Sequence, residues 1–168
     1  MRLFVALRFA PPVLDALESV QRQLTGTPIR RENLHMTLCF LGEVSGDRLP
    51  LLRQQLEPLA QRTPPFSMTL DRLETFGSGK GRLACLTGAA PAPLSTLVRD
   101  LEAALRAQGF SLEERTFRPH VTLARRCAAS PAPIAPIRFT ARALYLMRSE
   151  RIAGVLTYTP LFTAPFGR

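Results

Sequence analysis

Apolar positions along this chain switch between a spacing of two and a spacing of three to four, and the switches mark its elements. Leu3 to Phe9 reads as a first strand. Pro11-Pro12 opens a helical stretch with Val13, Leu14, Leu17, Val20 and Leu24 on one face, and Thr25-Gly26-Thr27-Pro28 ends it. Leu34 to Leu41 is a strand that Gly42 closes. A second helical stripe, Leu49, Leu52, Leu56 and Leu59, stops before Thr63-Pro64-Pro65. Phe66 to Phe76 alternates as a strand, and Gly77-Ser78-Gly79-Lys80-Gly81 turns it into a partner strand over Arg82 to Thr87. Pro93 starts a third helix carrying Leu94, Leu97, Leu101 and Leu105, which Gly109 caps. Pro119 to Arg125 is a strand. A Pro/Ala-rich loop, Ser130 to Pro136, then leads to strands near Ile137–Met147 and Val155–Phe162.

Hairpins beside helical crossovers predict an α+β fold with antiparallel or mixed sheets rather than a doubly wound parallel sheet. The pattern also echoes itself. Each half has a helix, then a loop with Arg and Glu (Arg30-Arg31-Glu32; Glu113-Glu114-Arg115), then a strand with a His-x-Thr-Leu sequence. A duplicated, two-lobed arrangement would bring those two strands together across a cleft. The 168 residues suit a single domain spanning residues 1–168, large enough to bury a core without staples.

The protein has only two histidines, in His35-Met36-Thr37-Leu38 and His120-Val121-Thr122-Leu123. On a strand, residues i and i+2 share a face. His35 and Thr37 therefore point together, as do His120 and Thr122, while Met36, Leu38, Val121 and Leu123 anchor the strands from below. Two such motifs facing each other offer two imidazoles and two hydroxyls. Displacement at phosphorus needs that set: a base for the nucleophile, an acid for the leaving oxygen, and donors for the non-bridging oxygens. Imidazole, with a pKa of about 6.5, serves as either acid or base near neutrality. A zinc site is the competing reading, but the chain has neither His-Glu-x-x-His nor paired cysteines, and threonine is a poor zinc ligand. No metal and no cofactor is expected.

Composition adds a little. The 22 basic residues exceed the 13 acidic ones, giving +9, and all but Lys80 are arginines. Arginine pairs with phosphate in bidentate fashion, which fits a nucleic-acid partner, although a chain rich in Arg, Ala, Pro and Leu also fits a coding bias. No apolar run nears the ~20 residues of a membrane span, and the short run before Arg8 is not a signal peptide. Three cysteines without ligand spacing suit a reduced, cytoplasmic protein. No coiled-coil repeat is present, so a monomer is expected.

The two motif blocks, Glu32-Asn33-Leu34-His35-Met36-Thr37-Leu38-Cys39-Phe40-Leu41-Gly42-Glu43 and Phe117-Arg118-Pro119-His120-Val121-Thr122-Leu123-Ala124-Arg125, resemble those of the 2H phosphoesterase superfamily, and within it the bacterial RNA 2′,3′-cyclic phosphodiesterase (2′-5′ RNA ligase, LigT-like) family. Met1 to Leu7 resembles that family's opening strand. The resemblance implies a bilobal, pseudo-twofold α+β fold with helices outside and the site between the lobes. It implies opening of a 2′,3′-cyclic phosphate at an RNA 3′ end, tRNA fragments among the substrates, to leave a 2′-phosphate. By the same resemblance His35 is the general acid, His120 the general base, Thr37 and Thr122 hold the phosphate, and Arg125 contacts substrate. ATP-independent 2′-5′ ligation by the same site is the alternative use. A non-catalytic RNA-end-binding module is the alternative of a different class. Two features depart from the family pattern. Leu146-Met147-Arg148-Ser149 fits, but Arg151 to Tyr158 fits only loosely, so the C-terminal strand is expected to shape the base-binding rim differently. Arg125 also has the wrong parity to share a face with His120 unless the strand bulges or ends at Ala124; otherwise it is an exposed strand-end charge.

Overall fold

The computed structural model describes residues 1–168. Nine strands make two sheets, every pairing antiparallel, with three helices on the outer faces. The first sheet has the order β3(Met36–Glu43)-β1(Arg2–Leu7)-β8(Ala143–Ile152)-β9(Val155–Pro165). The second has the order β2(Thr27–Pro28)-β6(His120–Arg125)-β5(Leu83–Thr87)-β4(Phe66–Phe76)-β7(Ala132–Ala141). Of the two sheet types expected, antiparallel or mixed, the antiparallel one is realised.

Strand β1 is central and buried on both sides. Leu3, Val5 and Leu7 enter the main core, while Phe4 and Ala6 pack with Met147 on the other face. The helices are amphipathic in the register read from sequence. Helix α1 (Pro11–Gln21) starts on two prolines, whose missing N–H groups would be unpaired there anyway. Helix α2 (Leu49–Gln61) buries Leu52, Leu56 and Leu59, and α3 (Ala92–Ala107) buries Leu94, Leu97, Leu101 and Leu105. Gly109 caps α3 at φ +79°, with the Phe110 N–H bonded back to the Leu105 carbonyl.

The helices cross over. Helix α1 leads through the short β2 to β3 of the first sheet and packs on β6 and β7 of the second. Helix α3 leads into β6 of the second sheet but packs on β3 of the first, beside α2. The strand–helix–strand units β1-α1-β3 and β5-α3-β6 thus embrace each other, which is the structural form of the internal echo.

Four expectations need correction or extension. Ser130 to Pro136 is not simply a loop: Ala132 begins β7, and Pro133 pairs opposite Arg72. Strand β7 lies at the sheet edge, where a proline's missing N–H leaves no ladder bond unmade. The segment Ile137–Met147 is consequently two strands, parted at Arg142. Thr27-Pro28 ends the first helix as expected but also forms β2, pairing with Arg125 and Ala124. Gly42 does not close its strand; β3 runs on to Glu43, with Gly42 at φ +69° beside a bulge.

Candidate active site

Strands β3 and β6 meet where the two sheets approach, and His35, Thr37, His120 and Thr122 line one cavity of about 700 Å³ between them. Met36, Leu38, Val121 and Leu123 are buried in the core beneath, as the period of two requires, with Leu38 also reaching the cavity wall.

Each strand departs from that period at the same point. Ala6 pairs with Thr37 and Val5 with Cys39, so Leu38 is an extra residue in β3. Cys85 pairs with Thr122 and Ala84 with Ala124, so Leu123 is the extra residue in β6. The leucine of each His-x-Thr-Leu motif is a bulge. A bulge inverts parity for the residues after it, so Phe40 and Arg125 return to the cavity side. The bulge that Arg125 required is present. Its guanidinium reaches the Tyr158 hydroxyl at 3.3 Å, across the cavity on β9.

The imidazoles are held alike. His35 Nδ1 lies 2.7 Å from the Asn33 carbonyl and His120 Nδ1 lies 2.8 Å from the Arg118 carbonyl. A carbonyl only accepts, so Nδ1 carries the proton in both rings and Nε2 is left for chemistry. Each ring rests on a phenylalanine at the same 40° tilt: His35 on Phe4 at 4.9 Å and His120 on Phe76 at 4.7 Å.

The halves then diverge. His35 also meets the Tyr158 ring edge-on at 5.0 Å, and its Nε2 is 2.9 Å from Thr37 Oγ1. His120 Nε2 makes no hydrogen bond within the protein. Thr122 Oγ1 contacts only the Cys85 sulfur, at 3.6 Å. Burial pushes both imidazoles below the ordinary value of about 6.5, and their Nδ1 bonds to carbonyls partly offset this. Repulsion from His120 further disfavours a charged His35, while Arg118 and Arg115 act similarly on His120. Burial pushes the Cys85 thiol up to about 11, so it stays protonated beside Thr122.

Support comes from residues whose roles the sequence did not announce. The buried Asn33 donates its amide to the Leu156 carbonyl and accepts the Tyr158 N–H, pinning β9 beside His35. Glu74 accepts from Thr87 Oγ1 at 2.7 Å and from Arg118 at 3.0 Å. Arg118 in turn lies over the Phe76 ring at 4.7 Å, while its own carbonyl holds His120. The arginines before His35 stay outside the cavity: Arg31 pairs with Asp15 and Glu18, and Arg30 with Glu32. Arg115 and Glu113, before His120, do line it.

Two antiparallel sheets, each giving a His-x-Thr pair to a common cavity, define a 2H phosphoesterase. The chain belongs to the 2′-5′ RNA ligase superfamily, whose family model matches residues 9–153. An RNA 2′,3′-cyclic phosphodiesterase of Escherichia coli K12 is 32% identical over 143 residues, covering 81% of this chain and 77% of the relative. One from Geobacillus stearothermophilus is 36% identical over 111 residues, 66% of this chain; the match spans only 35% of that longer protein. The crystal structure of E. coli LigT complexed with 3′-AMP superposes with a TM-score of 0.86 at 26% identity, over 99% of this chain and 98% of that one.

Proposed function

We propose that this chain hydrolyses a 2′,3′-cyclic phosphate at an RNA 3′ end to a 2′-phosphomonoester, by metal-independent catalysis with two histidines. The reading rests on one observation above all: two imidazoles with Nδ1 tied to a carbonyl line a single cavity. The names of the matched relatives and the 3′-AMP complex of LigT supply the substrate class.

In this scheme water attacks phosphorus in line with the 3′ oxygen. His120 Nε2, free of protein partners, takes the water's proton as the new P–O bond forms. The P–O3′ bond breaks, and imidazolium His35 delivers its Nε2 proton to O3′. Thr37 and Thr122 donate to the non-bridging oxygens, and Arg125 neutralises their growing charge. Proton transfer by each histidine contributes on the order of 10²–10⁴ in rate. With a ribose 5′-hydroxyl in place of water, the same groups join RNA ends through a 2′-5′ linkage without ATP: the 5′ oxygen bonds phosphorus as the P–O3′ bond breaks. The cavity is complete within one chain, which fits action as a monomer, on cytoplasmic RNA ends such as tRNA fragments.

The test is product identification from an oligoribonucleotide bearing a terminal 2′,3′-cyclic phosphate, with EDTA present. A 2′-phosphomonoester is expected, with turnover abolished by His35→Ala and by His120→Ala. A 3′-phosphate would reverse which oxygen the acid serves. Salt-sensitive binding with no turnover would leave only an RNA-end-binding module.

A further inference from the structure

Charge around the cavity is uneven. Arg115 and Arg118 on the approach to β6 are matched by Glu113 and Glu74. Arg30 and Arg31, before β3, are matched by Glu32, Asp15 and Glu18. At one end of the second sheet the matching stops. Phe76, Leu83 and Arg125 form a row across β4, β5 and β6, and all three line the cavity. Just beyond that row lie the turn joining β4 to β5 and the residues after β6. The turn is compact, with the Gly81 carbonyl against Gly77, and it carries Lys80 and ends at Arg82. The Cys127 N–H bonds the Arg82 carbonyl, which sets Arg126 beside Arg82.

Lys80, Arg82, Arg125 and Arg126 are all exposed, and none is paired with a carboxylate. Arg126 is held at φ +52°, a conformation that disfavours most side chains, on the turn leaving β6. Four cations without counter-charges, one already in the cavity, repel one another unless an anion bridges them. A single phosphate in the cavity occupies only Arg125. The other three lie outside the cavity, on the turn and strand end just beyond Arg125.

We propose that Lys80, Arg82 and Arg126 form a track for the RNA backbone leaving the active site, making the enzyme prefer polymeric ends over isolated cyclic nucleotides. This rests on the cyclic-phosphodiesterase reading and extends it to the substrate's length. Contacts of this kind are independent of sequence and release counterions on binding, so they act through KM and depend on salt.

The experiment compares adenosine 2′,3′-cyclic phosphate with a ten-nucleotide RNA ending in the same group. The proteins are wild type and the triple variant Lys80→Ala/Arg82→Ala/Arg126→Ala. Wild type is expected to favour the RNA in kcat/KM by at least tenfold, and the variant to lose that advantage while processing the mononucleotide at the wild-type rate. The mononucleotide rate also reports that the variant is folded. With about 0.7 counterions per phosphate contact, the salt dependence of log kcat/KM for the RNA should flatten by about 2 in slope. Retention of the RNA advantage by the variant, or no advantage in wild type, overturns the track. Should neither substrate be turned over by wild type, the cyclic-phosphodiesterase reading fails instead. Fluorescence anisotropy with the labelled RNA then decides the track by itself: unchanged binding in the variant rejects it, and a tenfold loss sustains it.

Discussion

Phe40 and Arg125 occupy equivalent places in the two halves of the molecule, five residues after their histidines and turned to the cavity by a leucine bulge. One half thereby offers a half-exposed aromatic face and the other a cation. The two-fold symmetry that builds the site is broken at this position, and the break leaves one side of the cavity aromatic and the other cationic. Arg125→Ala should lower kcat/KM by about 10- to 100-fold, the range of a lost hydrogen bond to a charged group, with Arg125→Lys intermediate because it cannot bond in a fork. Phe40→Ala should raise KM with little change in kcat, by the ~1–3 kcal/mol of a base–aromatic stack. Steady-state kinetics on the cyclic nucleotide separates the two effects.

Activity should peak on the acid side. The proposed mechanism requires His120 neutral and His35 charged, yet burial lowers both pKa values. The protonation state that works is then most populated below pH 6.5, so the kcat/KM profile should be a bell with its maximum there. Bound phosphate favours imidazolium, so the kcat profile should shift toward alkaline pH relative to kcat/KM. A kcat/KM optimum above pH 7.5 would contradict the lowered imidazoles.

Glu74 acts on His120 through Arg118. Glu74→Gln keeps the shape but weakens the grip on the arginine whose carbonyl fixes the ring. We expect kcat to fall about tenfold with KM held within about twofold, since misplaced catalytic groups cost rate rather than binding. The acid limb of the pH profile should also move, because Glu74 holds the Arg118 charge near His120. A purely structural role would lower the melting temperature and leave the pH profile of the remaining activity in place.

The same imidazoles set an acid limit on stability. In the unfolded chain both titrate near pH 6.5; in the folded protein both titrate lower. Above pH 6.5 neither state binds these protons and stability is flat with respect to them. As pH falls below 6.5 the unfolded chain takes up protons first, so stability drops until the folded pKa values are passed. Urea titrations between pH 7.5 and 5.5 should show this loss, and His120→Gln should reduce its slope.

The exchange of α1 and α3 between the sheets predicts one cooperative unit. Neither sheet keeps its outer helix if the other opens. Amide exchange from β1 and from β5, one strand in each sheet, should report the same free energy of opening, and a large difference would mean two domains.

Much of the fold and site is legible in the sequence because it depends on local period. The three helices, the alternation of Phe66 to Phe76 and the pairing of each histidine with its threonine come from side-chain direction alone. Even the bulge before Arg125 can be posed as a requirement, although no residue type there signals it; only the partner strand's register shows that Leu123 is extra. Strand β7 is masked by its prolines, which edge position tolerates. Phe4, Phe76 and Tyr158 look like ordinary apolar positions, since their importance lies in which strand pairs with which. Glu74 and Asn33 are hidden for the same reason: their partners are 44 and 125 residues away.

The pairing of β1 with β8 has a consequence for synthesis. Strand β1 lies at the centre of its sheet, yet it waits for a partner beginning at Ala143 and an outer strand ending at Pro165. Until those residues have left the ribosome, Phe4 has no Met147 to pack on and His35 has no Tyr158 beside it. Long-range pairing of this kind is slow and comes late. A nascent chain that stops short of β9 therefore holds the His35 motif on Phe4 but without its Tyr158 wall, and the site is completed only once that strand has been made.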